Sequence, residues 1–194
     1  CYDVIGDSMF LESIIIAFII SLFIKNKNYK NLINFHFNNL YLIFLGIIIL
    51  FIINIFTSFN LGAVGDFFVK YYYLFHILSL VLICIPLFTN PSNKGFVIMG
   101  TGVLLNTIPV IFNKKMPVSI DALFKTDNQR VIDILLHNNS LSHGIFENPK
   151  FFFLSDIIPF PKLIGSSVVI SVGDILISIG LIVALVNIIK LGSE

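Results

Sequence analysis

From Val168 to Ile189 nearly every residue is apolar, and as a helix this run is long enough to cross the ~30 Å hydrocarbon core of a bilayer. Four further apolar runs precede it: Phe10–Ile24, Leu40–Phe56, Phe67–Phe88 and Phe96–Phe112. The first is short and needs tilt, bilayer thinning or N-terminal extension to span. The rest of the chain agrees with this. It is 57% hydrophobic and 12% charged, against about a quarter charged for a soluble domain, and its mean hydropathy is +0.96. The expected class is all-α: a polytopic membrane helical bundle of about five transmembrane helices. A partly helical extracytoplasmic loop is expected between spans four and five.

Met9 opens the first run, so residues 1–8 read as an added or processed N-terminal segment. Cys1 is also the residue type that heads a mature bacterial lipoprotein. Residues 9–112 hold spans one to four, 113–166 the extracytoplasmic loop, and 167–194 span five with the C-terminal tail. Gly192-Ser193-Glu194 has the composition of a linker remnant. The two cysteines, Cys1 and Cys84, give no disulfide framework. Lys25, Lys27, Lys30, Lys94 and Lys190 put their loops in the cytoplasm by the positive-inside rule. The N-terminus is then outside and the C-terminus cytoplasmic, in a bacterial cell membrane. Lys114, Lys115, Lys125, Arg130, Lys150 and Lys162 on the long loop pull the other way, but long translocated loops tolerate charge. Within that loop, Ile120, Leu123, Phe124, Val131, Ile134 and Leu135 have the spacing of one or two short helices. Phe151–Phe153 and Pro159-Phe160-Pro161 read as an interfacial or re-entrant stretch. Asn26–Asn39 reads as a polar loop with room for a surface helix. The net charge of +1 leaves no basic face for nucleic acid.

One acid lies inside the last run. Counted from Val168, Asp174 is about 10 Å along a helix. An ionisable group there costs a few kcal/mol or more unless it faces a partner or water. Ser167, Ser171, Asp174 and Ser178 fall at offsets 0, 4, 7 and 11, one helical face. Gly102, Asn106, Pro109 and Asn113 repeat those offsets in the fourth run. Antiparallel helices carrying such stripes should pack stripe to stripe, with Gly102, Gly173 and Gly180 allowing close approach. The Asn106 amide can then donate to the Asp174 carboxylate.

Asp156 precedes the fifth run. If Pro159–Gly165 folds back, Asp156 and Asp174 can share a site where one keeps its proton and the other acts as base. Otherwise Asp156 is an interfacial acid capping a turn. The candidate catalytic residues are therefore Asp174 and Asp156. The candidate binding residues are Asn106, Asn113, Ser171, Ser178 and Pro117. His76 and Cys84 are eight apart, about 12 Å along a helix axis, too far for a nucleophile–base pair. His137 and His143, with Asp133 and Glu147, have weak spacing for a metal and read as solvated loop residues. No phosphate loop, nucleophile elbow or H-E-x-x-H occurs, and neither cofactor nor metal is expected.

Residues 102–119 read GVLLNTIPVIFNKKMPVS, and residues 155–180 contain SDIIPFP and ISVGDILISIG. These stretches resemble an uncharacterised family of small bacterial integral membrane proteins. Its pattern runs L-N, then N-G-G before M-P-V-S, then G-D-x-I-P and S-x-G-D. Here Lys114-Lys115 stand at the glycine pair and Ser155 at the glycine before the first acid. The resemblance implies a shared fold over roughly residues 9–190 and no established activity. A fainter likeness is to lipoprotein signal peptidase, an intramembrane aspartyl protease. Ser171-Val172-Gly173-Asp174 resembles its second catalytic motif, Asp156-Ile157-Ile158 its intervening segment, and Asn106 the asparagine of its first motif. Pro109 stands where that family has its first catalytic aspartate.

The leading expectation is a protein that binds a peptide or lipid-linked ligand at the polar seam between spans four and five. Another membrane protein is the alternative partner. An intramembrane aspartyl protease and a small proton- or cation-coupled transporter are the rival readings.

Overall fold

The computed structural model describes residues 10–59, 62–161 and 166–190. It is mostly helical, and four helices are long and apolar enough to cross a membrane: α3 (Leu40–Ser58), α4 (Ala63–Phe88), α5 (Lys94–Asn113) and α8 (Val172–Lys190). The first apolar run forms α1 (Phe10–Leu22), whose 13 residues reach only about 20 Å, short of the ~30 Å core. The five expected spans thus become four plus one short apolar helix. Extension of α1 towards residues 1–9 lies outside the described residues. The asparagine-rich loop holds α2 (Lys30–Asn34).

The helices pack side by side in the order α3, α4, α5, α8, α1. The central pair is joined most closely. Gly95 and Gly102 on α5 face Gly180 and Gly173 on α8, in antiparallel sense. A Cβ on Gly102 would sit 2.5 Å from the Gly173 carbonyl, and one on Gly180 would sit 2.6 Å from the Met99 nitrogen. Larger residues would force the backbones apart. In lipid, where apolar burial gives little drive for association, such close packing is what holds helices together. Gly46 does the same between α3 and α4, against the Ser79 carbonyl and Ile83. On α1, Ser13, Ala17 and Ser21 are buried, a small-residue face at four-residue spacing. The Asn28 N–H donates to the Ile189 carbonyl at 3.0 Å. The chain leaving α1 therefore meets the C-terminal end of α8, and the two helices run parallel.

Above the α5–α8 pair lies a loop layer. It contains α6 (Ile120–Phe124) and α7 (Gln129–Leu136), whose Leu123, Ile132 and Leu135 form a small apolar core with Val118. Strand β1 (Met116–Pro117) pairs in parallel with β2 (His143–Gly144), and Val118 bridges to Asp156. A 3-10 turn (Phe152–Leu154) leads to β3 (Ile158–Phe160), which pairs antiparallel with β4 (Val168–Ile170).

This hairpin corrects the start of the last span. The apolar run begins at Val168, but the helix begins at Val172. Val168-Val169-Ile170 are β-branched residues with a strand preference, and β3 offers them a partner. Ser167 is therefore not on the α8 face, and the expected four-residue stripe loses its first member.

Candidate functional site

Because α8 starts at Val172, Asp174 lies in its first turn. Ser171 Oγ accepts from the Asp174 N–H at 3.0 Å, and the Asp174 carboxylate accepts from the Ser171 N–H at 2.9 Å. This is a reciprocal capping box, which satisfies two backbone donors that the helix start leaves open. An acid near a helix N-terminus is also favoured by the macrodipole.

A neighbouring helix completes the group. Asn106 Nδ2 donates to Asp174 Oδ1 at 2.8 Å. Ser171 Oγ lies 2.7 Å from Asn106 Oδ1 and 2.9 Å from Asp174 Oδ2. A serine hydroxyl has one proton, so it donates to only one of these two oxygens at a time. The Gly173 position makes room for this triad, since a Cβ there would collide with the Asn106 amide. Asp174 is thus sheltered between α5 and α8. At the level of Asn106 it is seven residues, roughly 10 Å, below the end of α5, which continues up into the loop layer.

The second acid arrives through the hairpin. Ile158 pairs with Ile170, and the Ile157 N–H donates to the Ile170 carbonyl at 3.2 Å. This register carries Asp156 back towards the start of α8, the fold-back that its approach to Asp174 requires. The turn residues 162–165 lie outside the described residues. Asp156 is held on its other side by β1: its N–H donates to the Pro117 carbonyl at 3.0 Å, and its carbonyl accepts from the Ser119 N–H at 2.8 Å. Its side chain is buried. Burial pushes the carboxyl well above its ordinary 3.8, and the negative charge of Asp174 adds to that push.

His143, expected as a solvated loop residue, lies instead against the second acid. Its Nε2 lies 3.5 Å from Asp156 Oδ2, and its Nδ1 lies 2.7 Å from Ser142 Oγ. No local spacing could have marked it, because the parallel pairing of Met116 with His143 joins segments 27 residues apart. Glu12 also went unmarked. It lies in the first turn of α1, is buried, and is at the same end of the helix row as Asp174.

The other candidates separate. Pro117 supplies a backbone carbonyl to Asp156. Asn113 is one turn beyond Pro109 and staples the loop, with Nδ2 donating to the Pro109 and Lys150 carbonyls and Oδ1 accepting from the Lys150 N–H at 2.9 Å. Ser178 is buried one turn further along α8. Cys84 lies against the Gly100 carbonyl between α4 and α5.

A family model described as "Family of unknown function (DUF5317)" matches residues 34–186. The chain belongs to this family. Its matched region runs from α2 through most of α8 and includes Asn106, His143, Asp156, Ser171 and Asp174. No curated protein and no solved structure matches the chain.

The arrangement is a set of two nearby carboxylates in different settings. Asp174 accepts hydrogen bonds from Asn106 and Ser171. Asp156 is buried, its carboxyl is raised above the ordinary range, and it faces an imidazole. Such a pair can bind a polar group that both donates and accepts, or pass a proton between two positions.

Proposed function

We propose that this chain is a multi-pass bacterial membrane protein that binds a peptide or lipid-linked ligand at the loop-layer end of the α5–α8 seam. The N-terminus is outside and the C-terminus cytoplasmic in this reading, so the ligand enters from the outer side. Asp174 is its central polar group, oriented by Asn106 and Ser171. Asp156, whose carboxyl burial raises above its ordinary range, offers a donor when it holds its proton, and His143 lies against that carboxyl. The observation that carries this reading is the β3–β4 hairpin, which returns a buried acid to a helix start already occupied by another.

The test is native mass spectrometry of the protein released from membranes in mild detergent. A retained peptide or lipid-linked molecule that is lost in Asp174→Asn, with the circular dichroism spectrum unchanged, supports the proposal. Equal retention by wild type and variant contradicts it.

A second reading draws support from one further observation, the influence of Asp174 on the Asp156 carboxyl. In this reading the two acids hydrolyse a peptide bond. Asp174 takes a proton from water, whose oxygen attacks the carbonyl carbon. Asp156 gives its proton to the carbonyl oxygen, leaving a gem-diol. The C–N bond then breaks as Asp174 passes its proton to the amine nitrogen and a gem-diol hydroxyl returns a proton to Asp156. Cleavage of a membrane-inserted peptide by wild type, abolished by either Asp→Asn change, would favour it over binding alone.

A further inference from the structure

The loop layer holds a second feature, separate from the acids. A cavity of about 610 Å³ lies beyond the end of α5, lined in part by Lys114, Lys115, Asn138, Leu135 and Phe146. We propose that this cavity binds a phosphate-bearing anion, with the two lysines on the phosphate and the apolar wall against what the phosphate carries.

Three observations support this. First, the cavity lining brings Lys114 and Lys115 together with the apolar Leu135, Leu136, Ile145 and Phe146. Second, among the described residues no carboxylate pairs with either lysine. Lys115 Nζ donates to Asn138 Oδ1 at 3.0 Å and to the Ser140 carbonyl at 2.6 Å, both neutral acceptors. An ammonium has three donors, so one remains. Lys114 Nζ rests 5.5 Å from the centre of the Tyr73 ring, which is not part of the cavity lining, so its ammonium turns off that ring to meet a ligand. Third, Lys114 has φ 65, the left-handed position that closes α5. Glycine takes that conformation freely and L-residues disfavour it, so a lysine there trades backbone ease for a charge.

A lone lysine at a helix C-terminus is explained by the macrodipole. That account needs one cation and no cavity. The C-termini of α5 and α7 both point here and offset part of the lysine charge, so moderate affinity is expected. Burial lowers the Lys115 amine from its ordinary value, and a bound anion would oppose that shift by favouring the charged form. Phosphate suits the chemistry because its several oxygens can accept from more than one ammonium group. The position suits it too, since the end of a membrane span lies at the depth of lipid headgroups.

The same chemistry is offered by an anionic phospholipid and by a soluble phosphate ester. Binding of phosphatidylglycerol and of glycerol 3-phosphate to the purified full chain in neutral detergent distinguishes them, with diacylglycerol as the phosphate-free control. Saturable binding of phosphatidylglycerol that glycerol 3-phosphate does not displace assigns a lipid. Binding of glycerol 3-phosphate itself assigns the soluble ester. In either case Lys114→Gly and Lys115→Met should each weaken binding roughly tenfold, the size of one charge-assisted contact. Lys114→Gly should do so without lowering the melting temperature, because it relieves the left-handed backbone. Asp174→Asn should leave this binding unchanged. No binding of either phosphate compound, binding of diacylglycerol to the same extent, or affinities unchanged by both lysine substitutions would overturn the proposal.

Discussion

The α5–α8 seam is tied by polar side chains at both of its ends, and the two ties differ in kind. At the end away from the loop layer, Asn93 Nδ2 donates to the Ala184 carbonyl at 3.0 Å, and Asn187 Nδ2 donates to Asn93 Oδ1 at 3.2 Å. Every group there is a neutral amide. At the loop-layer end, Asn106 meets Asp174, and the hairpin adds Asp156 and His143. The first tie joins these helices through amides alone. Asp174 also caps the start of α8, but a buried acid such as Asp156 costs free energy that an amide would not. The excess chemistry is concentrated at one end, and there the functional reading rests.

The largest effect should come from the packing that both ends share. Gly95→Val places side-chain atoms into the Ala184 backbone and should cost about 3 kcal/mol or more. Its readout is loss of the monodisperse protein in detergent, or a steep fall in melting temperature. A normal melting curve would break the claim that glycine contact organises the seam.

Asp174→Ala comes next. It leaves the Asn106 amide and the Ser171 N–H without their acceptor and should cost ~1–3 kcal/mol. Asp174→Asn should cost less, because an amide oxygen can still accept one of these bonds. Equal losses for the two variants in a thermal shift assay would show that charge, and not capping, governs this position.

Asp156→Asn sharpens the contrast through pH. The folded protein favours the neutral acid, since burial and Asp174 raise Asp156 above 3.8. The stability contributed by this group is full below that ordinary value and is lost as pH rises through the raised one. Asp156→Asn lacks this loss, so the gap between variant and wild type should grow in favour of the variant as pH rises from about 4. A gap that is flat with pH would remove the buried acid from the account.

The smallest effect should be Asn187→Ala at the amide end, about 0.6 kcal/mol as for typical hydrogen bonds within membranes, with no change in ligand retention.

Much of this architecture can be read from residue spacing. The apolar runs mark the spans, and the matched stripes Gly102–Asn106 and Gly173–Asp174 foretell which helices touch. The start of α8 was harder, because Val168-Val169-Ile170 is equally apolar as strand or as helix, and only a pairing partner decides. A signal was present in Ser171 and Asp174, whose S-x-x-D spacing is that of a capping box. Asp156 depended on a hairpin register, and His143 on a parallel pairing between distant loop segments, neither of which leaves a local pattern. The left-handed backbone at Lys114 is equally invisible, since glycine, the residue that announces such a turn, is absent there.

The most direct test is infrared difference spectroscopy of the protein in lipid nanodiscs, with the Asp156 carboxyl identified by its disappearance in Asp156→Asn. A carboxyl band that persists above the ordinary carboxylate range, and titrates at lower pH in Asp174→Asn, is the predicted result. A carboxyl that ionises near its ordinary value, or whose titration ignores Asp174, would contradict the coupled pair at the head of the seam.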